Sequence, residues 1–284
     1  MPRLPDRRGV YSITRLLLLT VVAGISACSR APFTNRLQLN LVPDPLMNQL
    51  GAATYVEMIG GTPVDRQSQN AKTLKKVGRR ISRVAKKPSY KWRYALINDH
   101  DTVNAWCLPG GKIAFYSGIL PVLENEAGMA FVMGHEVGHA MARHGAERIS
   151  QQATMIGGLT ALYLYLDNKS DMPEEARNML LAALGVGVEL GIMLPFSRAH
   201  EKEADVMGMM YMANAGYPPG ESIDVWTRMS AGRKGVEMPA FLSTHPTHTQ
   251  RKKNLREWMP AANKKYGRNK LQRDTLSTLW APTR

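Results

Sequence analysis

The stretch from Glu124 to Arg143 is apolar on almost every face of a helix, yet it carries His135-Glu136-Val137-Gly138-His139 at its centre. A helix apolar all round is a buried helix. Placing two imidazoles and a carboxylate inside it is costly unless something pairs with them. Residues four apart share a helix face, so both imidazoles reach one point while Glu136, about a quarter turn away, stands beside it. That arrangement suits zinc-assisted hydrolysis. The competing reading, a satisfied pair of core histidines, requires this helix to bury three polar groups to no purpose.

A catalytic zinc takes three protein ligands and keeps a fourth place for water. A metzincin needs Gly at 142 and His at 145, where this chain has Ala142 and Gly145. Among the later carboxylates Glu147 is too near in the chain, and those from Asp167 to Glu175 sit in a polar joint. Glu201 and Asp205 are again four apart on a second helix opened by Pro195 and Ser197 and stopped by Gly216. The expectation is therefore that His135, His139 and Glu201 bind one zinc per chain and that Asp205 supports the ligands from behind.

The rest of the chain reads as helices around a small hairpin. Apolar residues at helical spacing run from Met47 to Ile59 and from Asn70 to Ala85, with Gly60-Gly61-Thr62-Pro63 as a breaker. Trp92 to Ile97 is strand-like, and Asn104–Leu108 and Ile113–Tyr116 flank Pro109-Gly110-Gly111, a hairpin signal with Pro109 at a sheet edge. Gly145 is expected to end the histidine helix. Two further apolar segments, Met155 to Leu166 and Met179 to Leu194, fall short of the about 20 residues a bilayer span needs. The second also contains Glu189, so both read as buried or gating helices rather than membrane spans.

The first 27 residues look like an address. Arg3, Arg7, Arg8 and Arg15 precede an apolar Leu16–Val22 run, and Ile25-Ser26-Ala27 lead into Cys28. This is the pattern of a secretory signal ending at a lipidated cysteine. The resulting division is a lipoprotein signal at 1–27, a tether at 28–45, a metallopeptidase domain at 46–260 and a basic tail at 261–284. Ser29 after Cys28 points to an outer-membrane lipoprotein facing the periplasm, with the periplasmic face of the inner membrane as the other reading. Once Cys28 carries lipid, Cys107 is the one cysteine left, so no internal disulfide forms; it reads as a buried thiol. Formal charge is +14, and much of it lies on Lys75, Lys76, Arg79, Arg80, Arg83, Lys86 and Lys87 and on the C-terminal run from Arg251 to Arg273. Without a nucleic-acid module this reads as a solvated face or an envelope contact, with no nucleic-acid partner.

The two segments His135–His139 and Ser197–Asp205, with Asn104-Ala105 and Pro109-Gly110-Gly111 upstream and Ser243-Thr244-His245-Pro246 downstream, resemble metallopeptidase family 48, zinc endopeptidases of membranes and the bacterial envelope. The resemblance runs from about Leu41 to Met259 and implies an α+β, mainly α, gluzincin-type body with a small sheet beside the active-site helix. It also implies a quality-control role, acting on unfolded or misassembled envelope polypeptides; membrane contact through a lipid anchor is expected from the Cys28 pattern instead. The oligomeric state is left open.

On this reading Glu136 is the general base, and substrate lies as an added strand near Asn104, Ala105 and Trp106. The alternative is an envelope chaperone or assembly factor with a structural or regulated zinc site, for which Glu136 has no use. His245 is expected to close the fourth zinc position in a resting enzyme. A surface histidine and a donor to the tetrahedral oxyanion are the other two readings. His144, five residues past His139, is expected to turn away from the site.

Overall fold

The computed structural model describes residues 28–169, 175, 196–231, 239–245 and 250–269. The signal at 1–27, the Met179 to Leu194 segment, Pro246 and His248 lie outside them. Helices dominate: α1 (Asp44–Ile59), α2 (Gln69–Ala85), α3 (Leu120–Leu123), α4 (Glu126–Met141), α5 (His144–Lys169), α6 (Arg198–Asn214), α7 (Glu221–Ala231), α8 (Pro239–Thr244) and α9 (Gln250–Asn269). The strands are β1 (Cys28–Arg30), β2 (Leu37–Leu39), β3 (Val64–Asp65), β4 (Arg93–Ile97), β5 (Ala105–Leu108) and β6 (Lys112–Tyr116). The α+β, mainly α class expected from the sequence is the one observed.

The central sheet runs β3-β4-β6-β5, with β4 parallel to β6 and β5 closing an antiparallel hairpin with it. Gly110 and Gly111 make that hairpin turn at φ of 81° and 78°, values that only a residue without Cβ adopts at little cost. β5 is the end strand of the sheet and packs against α4.

Asn125 starts α4 by accepting from the Ala127 and Gly128 amides through its side-chain oxygen. Every residue of α4 from Glu126 to Ala140 is buried. Its chief partner is α6, whose first turn is capped by Ser197 accepting from the His200 amide. α2 covers another side, turning Ala71, Leu74, Val77 and Ile81 inward at helical spacing. Part of its basic face is not free: Lys76 and Arg80 pair with Glu126, which is 0% exposed.

The structure differs from the sequence expectations at several joints. α4 stops at Met141 rather than at Gly145, because Arg143 takes a left-handed backbone at φ 58° and α5 begins at His144. Residues 28–45 are not free of the body. β1 and β2 form an antiparallel ribbon with Ser29 opposite Gln38, and α1 starts within the expected tether at Asp44. α9 runs through residue 260 to Asn269, so the expected tail begins inside a helix. Met155 and Ile156 are exposed, 39% and 40%, rather than buried. Among the described residues no helix is long and apolar enough to cross a membrane.

Candidate metal centre

α4 and α6 cross so closely that their backbones touch. A Cβ placed on Gly134 would stand 2.8 Å from the Gly208 carbonyl oxygen, and one on Gly138 3.2 Å from Ala204 Cα. This closeness brings Glu201 on α6 against His135 and His139 on α4. His245, at the end of α8 with its amide bonded to the Phe241 carbonyl, completes a buried group of four.

The four ligand atoms face one another. His135 Nε2 lies 3.1 Å from His139 Nε2 and 3.3 Å from His245 Nδ1. Glu201 Oε1 lies 3.3 Å from His139 Nε2 and 3.0 Å from His245 Nδ1, while Oε2 is 3.6 Å from His135 Nε2. Around tetrahedral zinc with bonds of about 2.0–2.1 Å, ligand atoms sit about 3.3–3.4 Å apart, so this donor set fits the ion. The outer edges of the rings agree. His135 Nδ1 is 3.1 Å from Asp205 Oδ1, and His139 Nδ1 is 2.9 Å from His144 Nδ1. With each ring's proton directed outward, two nitrogen lone pairs confront each other at 3.1 Å, and a cation between them resolves the conflict.

Electrostatics support the same protonation. Burial holds His139 well below the ordinary imidazole value, in the neutral form a metal binds. Burial pushes the Glu201 carboxyl up, but the Arg251 guanidinium and the adjoining His139 and His245 rings outweigh it and keep it well below the usual range. Glu136 behaves in the opposite way. Burial raises its carboxyl, only partly opposed by His245 and His135, which suits a group that must take up a proton. Glu136 Oε1 lies 3.5 Å from His245 Nε2.

Asp205 stands behind His135. Trp226 Nε1 donates to its Oδ1 at 3.1 Å, and Arg251 forks onto both its oxygens at 2.7 Å. Arg251 reaches Glu201 Oε2 with its other arm at 2.5 Å and stacks 3.6 Å over the Trp226 ring. Sequence reasoning missed it, counting it in a basic run, whereas it is 1% exposed. The signal was present, since Arg251, Asn254, Leu255 and Ala262 share the inward face of α9. His144 is a second correction. The break at Arg143 puts it on α5 and turns it back against His139 instead of away.

His245 is 3% exposed, packed against the rings of Phe241 at 4.7 Å and Phe196 at 5.5 Å, which does not suit a surface histidine. Asn104, just before β5, is half-buried, and on β5 Ala105 is buried and Trp106 half-buried. An apolar cleft of about 140 Å³ lies between α1, β5 and the end of α4, lined by residues including Met47, Cys107, Leu108, His139 and Phe196. A larger cavity of about 630 Å³ near Asp65, His100 and Ser117 contains none of the cluster and has no part in its chemistry.

A buried HExxH helix crossed by a glutamate-bearing helix, with a small sheet at its side, defines a gluzincin-type metallopeptidase. Residues 68–259 match the model of peptidase family M48, and the chain belongs to that family of zinc-dependent metalloendopeptidases. It is 34% identical over 241 residues to the mitochondrial metalloendopeptidase OMA1 of Schizosaccharomyces pombe, covering 82% of this chain and 67% of that protein. It is 40% identical over 182 residues to the OMA1 of Saccharomyces cerevisiae, covering 62% and 49%, and 26% identical over 204 residues to the beta-barrel assembly-enhancing protease of Escherichia coli, covering 70% and 40%. The chain thus spans between two fifths and two thirds of these relatives.

Proposed function

We propose that the protein is an endopeptidase of the bacterial cell envelope that degrades unfolded or misassembled polypeptides, with His135, His139 and Glu201 as zinc ligands and Glu136 as general base. The observation that carries the reading is the convergence of four buried donor atoms with Glu136 beside them. Zinc there supplies Lewis acidity toward the scissile carbonyl and makes water acidic enough to give up a proton near neutral pH. Glu136 takes that proton and later delivers it to the leaving amine. Asp205 holds the His135 ring, and Arg251 holds Asp205 and Glu201.

Substrate lies as an added strand along the start of β5, at Ala105 and Trp106 and the preceding Asn104, because backbone pairing accepts many sequences. The end position of β5 in the sheet supports this placement, and the apolar cleft beside His139 suits one substrate side chain. The Arg-rich front and apolar run before Cys28 support an outer-membrane lipoprotein facing the periplasm, with the periplasmic face of the inner membrane as the other site. The bacterial relative is named for enhancing beta-barrel assembly and the OMA1 relatives are named as mitochondrial, so the envelope setting rests on that N-terminal pattern.

A second reading is favoured by one feature. With His245 included the donor set is closed at four, as structural zinc sites are. A chaperone or assembly factor with such a site has no need of the Glu136 carboxylate. Metal analysis with casein digestion of wild type and Glu136→Gln separates the two. Casein cleavage lost in the variant with zinc retained supports the protease; no cleavage by a zinc-loaded wild type sinks it.

A further inference from the structure

Behind the metal centre lies a second buried polar cluster that the reaction does not use. Glu147, 2% exposed, on α5 and Glu203, 2% exposed, on α6 face each other across Arg36, in the turn between β1 and β2. The guanidinium donates to Glu147 Oε1 at 2.7 Å and Oε2 at 2.8 Å, and to Glu203 Oε1 at 2.8 Å and Oε2 at 3.1 Å. The Thr34 hydroxyl donates to Glu203 Oε1 at 2.6 Å. Gln38, also from the hairpin, donates to Glu147 Oε2 at 3.0 Å and to the Ala142 carbonyl, beyond the end of the histidine helix, at 2.8 Å.

Two histidines connect this cluster. His200 Nε2 lies 3.0 Å from Glu147 Oε2, and its ring stacks on that of His144 at 4.3 Å. His144 is 0% exposed, with Nε2 at 2.9 Å from Glu203 Oε2 and Nδ1 at 2.9 Å from His139 Nδ1. The protons have one consistent order. Glu203 as a carboxylate accepts from His144 Nε2–H, which leaves His144 Nδ1 as an acceptor for His139 Nδ1–H, which leaves the His139 Nε2 lone pair pointing into the metal centre. The Arg36 fork and the Thr34 hydroxyl, all donors, meet the same Glu203 carboxylate at the head of the chain.

We propose that the β1–β2 hairpin positions the metal centre: Arg36 and Thr34 fix Glu203, Glu203 fixes His144, and His144 fixes the tautomer and ring orientation of His139, so the N-terminal segment sets zinc affinity. The chain of contacts is three hydrogen bonds long and buried along its inner part. The links to Glu203 join residues 59 to 169 positions apart, which is costly to assemble merely to bury charge. Groups that orient a ligating histidine typically change metal affinity or activity by about 10 to 100-fold when removed. Arg36, Thr34, Glu203 and His144 are positioning residues, since none of them touches the metal or the substrate.

The inference rests on His139 being a ligand, as proposed above. The test measures zinc dissociation constants by competition with a chromogenic chelator, the visible spectrum of the cobalt(II)-substituted protein, and the melting temperature of each metal-stripped variant. His144→Phe keeps the stack on His200 and removes both nitrogens; Arg36→Met keeps the stem and removes the fork. Each is expected to weaken zinc binding by about 10 to 100-fold and to shift the cobalt bands. The double variant is expected within about threefold of His144→Phe alone, since the two act through one path. Where Arg36→Met does not fold, Thr34→Val removes a bond to the same carboxylate without stranding a charge, and weakened zinc binding with shifted cobalt bands is expected there too. Zinc affinity unchanged in His144→Phe, or weakened there but unchanged in the folded hairpin variants, overturns the proposal, as does a double variant whose loss multiplies. Wild type that binds no zinc, or His139→Ala that binds it normally, overturns instead the reading of the centre on which the proposal rests.

Discussion

Gly134 and Gly208 meet backbone to backbone where α4 crosses α6: a Cβ on either would stand 2.8 Å from main-chain atoms of the other helix, the Gly208 carbonyl oxygen in one case and the His135 amide nitrogen in the other. The ligand-bearing helices can be this close only because both positions lack a side chain. Gly208→Ala should therefore push α6 away from His135 rather than improve its helix propensity. The expected cost is about 1–3 kcal/mol by overpacking, with weaker zinc binding. Urea unfolding of the zinc-loaded and metal-stripped protein checks both; a variant as stable as wild type would show that the crossing has slack.

How much of this site was legible in the sequence follows from the range of the interactions. His135, Glu136, His139, Glu201 and Asp205 were readable because helical spacing fixes which residues share a face. Arg251 was legible only as a position on the inward face of α9, because its role comes from Asp205, 46 positions away, and the run of cations around it masks that spacing. His144 was misjudged because the helix break before it carries no glycine or proline; Arg143 itself takes the left-handed turn. The β1–β2 hairpin was read as a tether because its strands are three residues long and the partners of Arg36 lie 111 and 167 positions away. The β5–β6 hairpin was legible, since Gly110-Gly111 states the turn locally.

Arg251→Met should be severe. It leaves Glu201 and Asp205, both 0% exposed, without their shared cation, and losing one partner of a buried ion pair costs about 3–5 kcal/mol. Arg251→Lys should recover little of this, because a single ammonium cannot reproduce the fork onto two carboxylates. Chemical denaturation of the metal-stripped proteins gives the comparison without a contribution from zinc. Full stability in the lysine variant would mean that charge alone is needed there.

Glu201→Ala should lower zinc affinity severely, whereas Asp205→Asn should cost about 10 to 100-fold in affinity or activity by loosening the His135 ring. Removing zinc with a chelator should abolish casein cleavage in wild type, and adding it back should restore activity. Equilibrium dialysis against buffered zinc reads the affinities. Normal occupancy in Glu201→Ala would leave His135, His139 and His245 as the ligand set and would require a different assignment for the carboxylate.

Glu136→Gln should keep about one zinc per chain and lose nearly all turnover, because the amide preserves shape but cannot accept a proton. Burial already raises this carboxyl toward the range a base needs, and no hydrogen bond among the described residues fixes its Oε1. Metal content and casein digestion on the same preparation decide it. Loss of zinc together with activity would assign Glu136 to holding the metal instead.

His245 is the residue whose role decides whether the centre is at rest or ready. Its Nδ1 lies 3.3 Å from His135 Nε2 and 3.0 Å from Glu201 Oε1, the spacing of a fourth ligand, while Nε2 lies 3.5 Å from Glu136 Oε1. The imidazole thus lies between Glu201 and Glu136, and the Phe196 and Phe241 rings pack against it. A resting ligand must leave before a peptide is cut, so His245→Ala should cleave unfolded substrate faster than wild type and bind zinc somewhat more weakly. A donor to the tetrahedral oxyanion predicts the reverse, with turnover at least about 100-fold slower and zinc retained. Initial rates on unfolded casein, taken with zinc content at matched free-metal concentration, separate the two. The expected result is the faster enzyme, and a slow variant with its metal intact would assign His245 to the transition state instead.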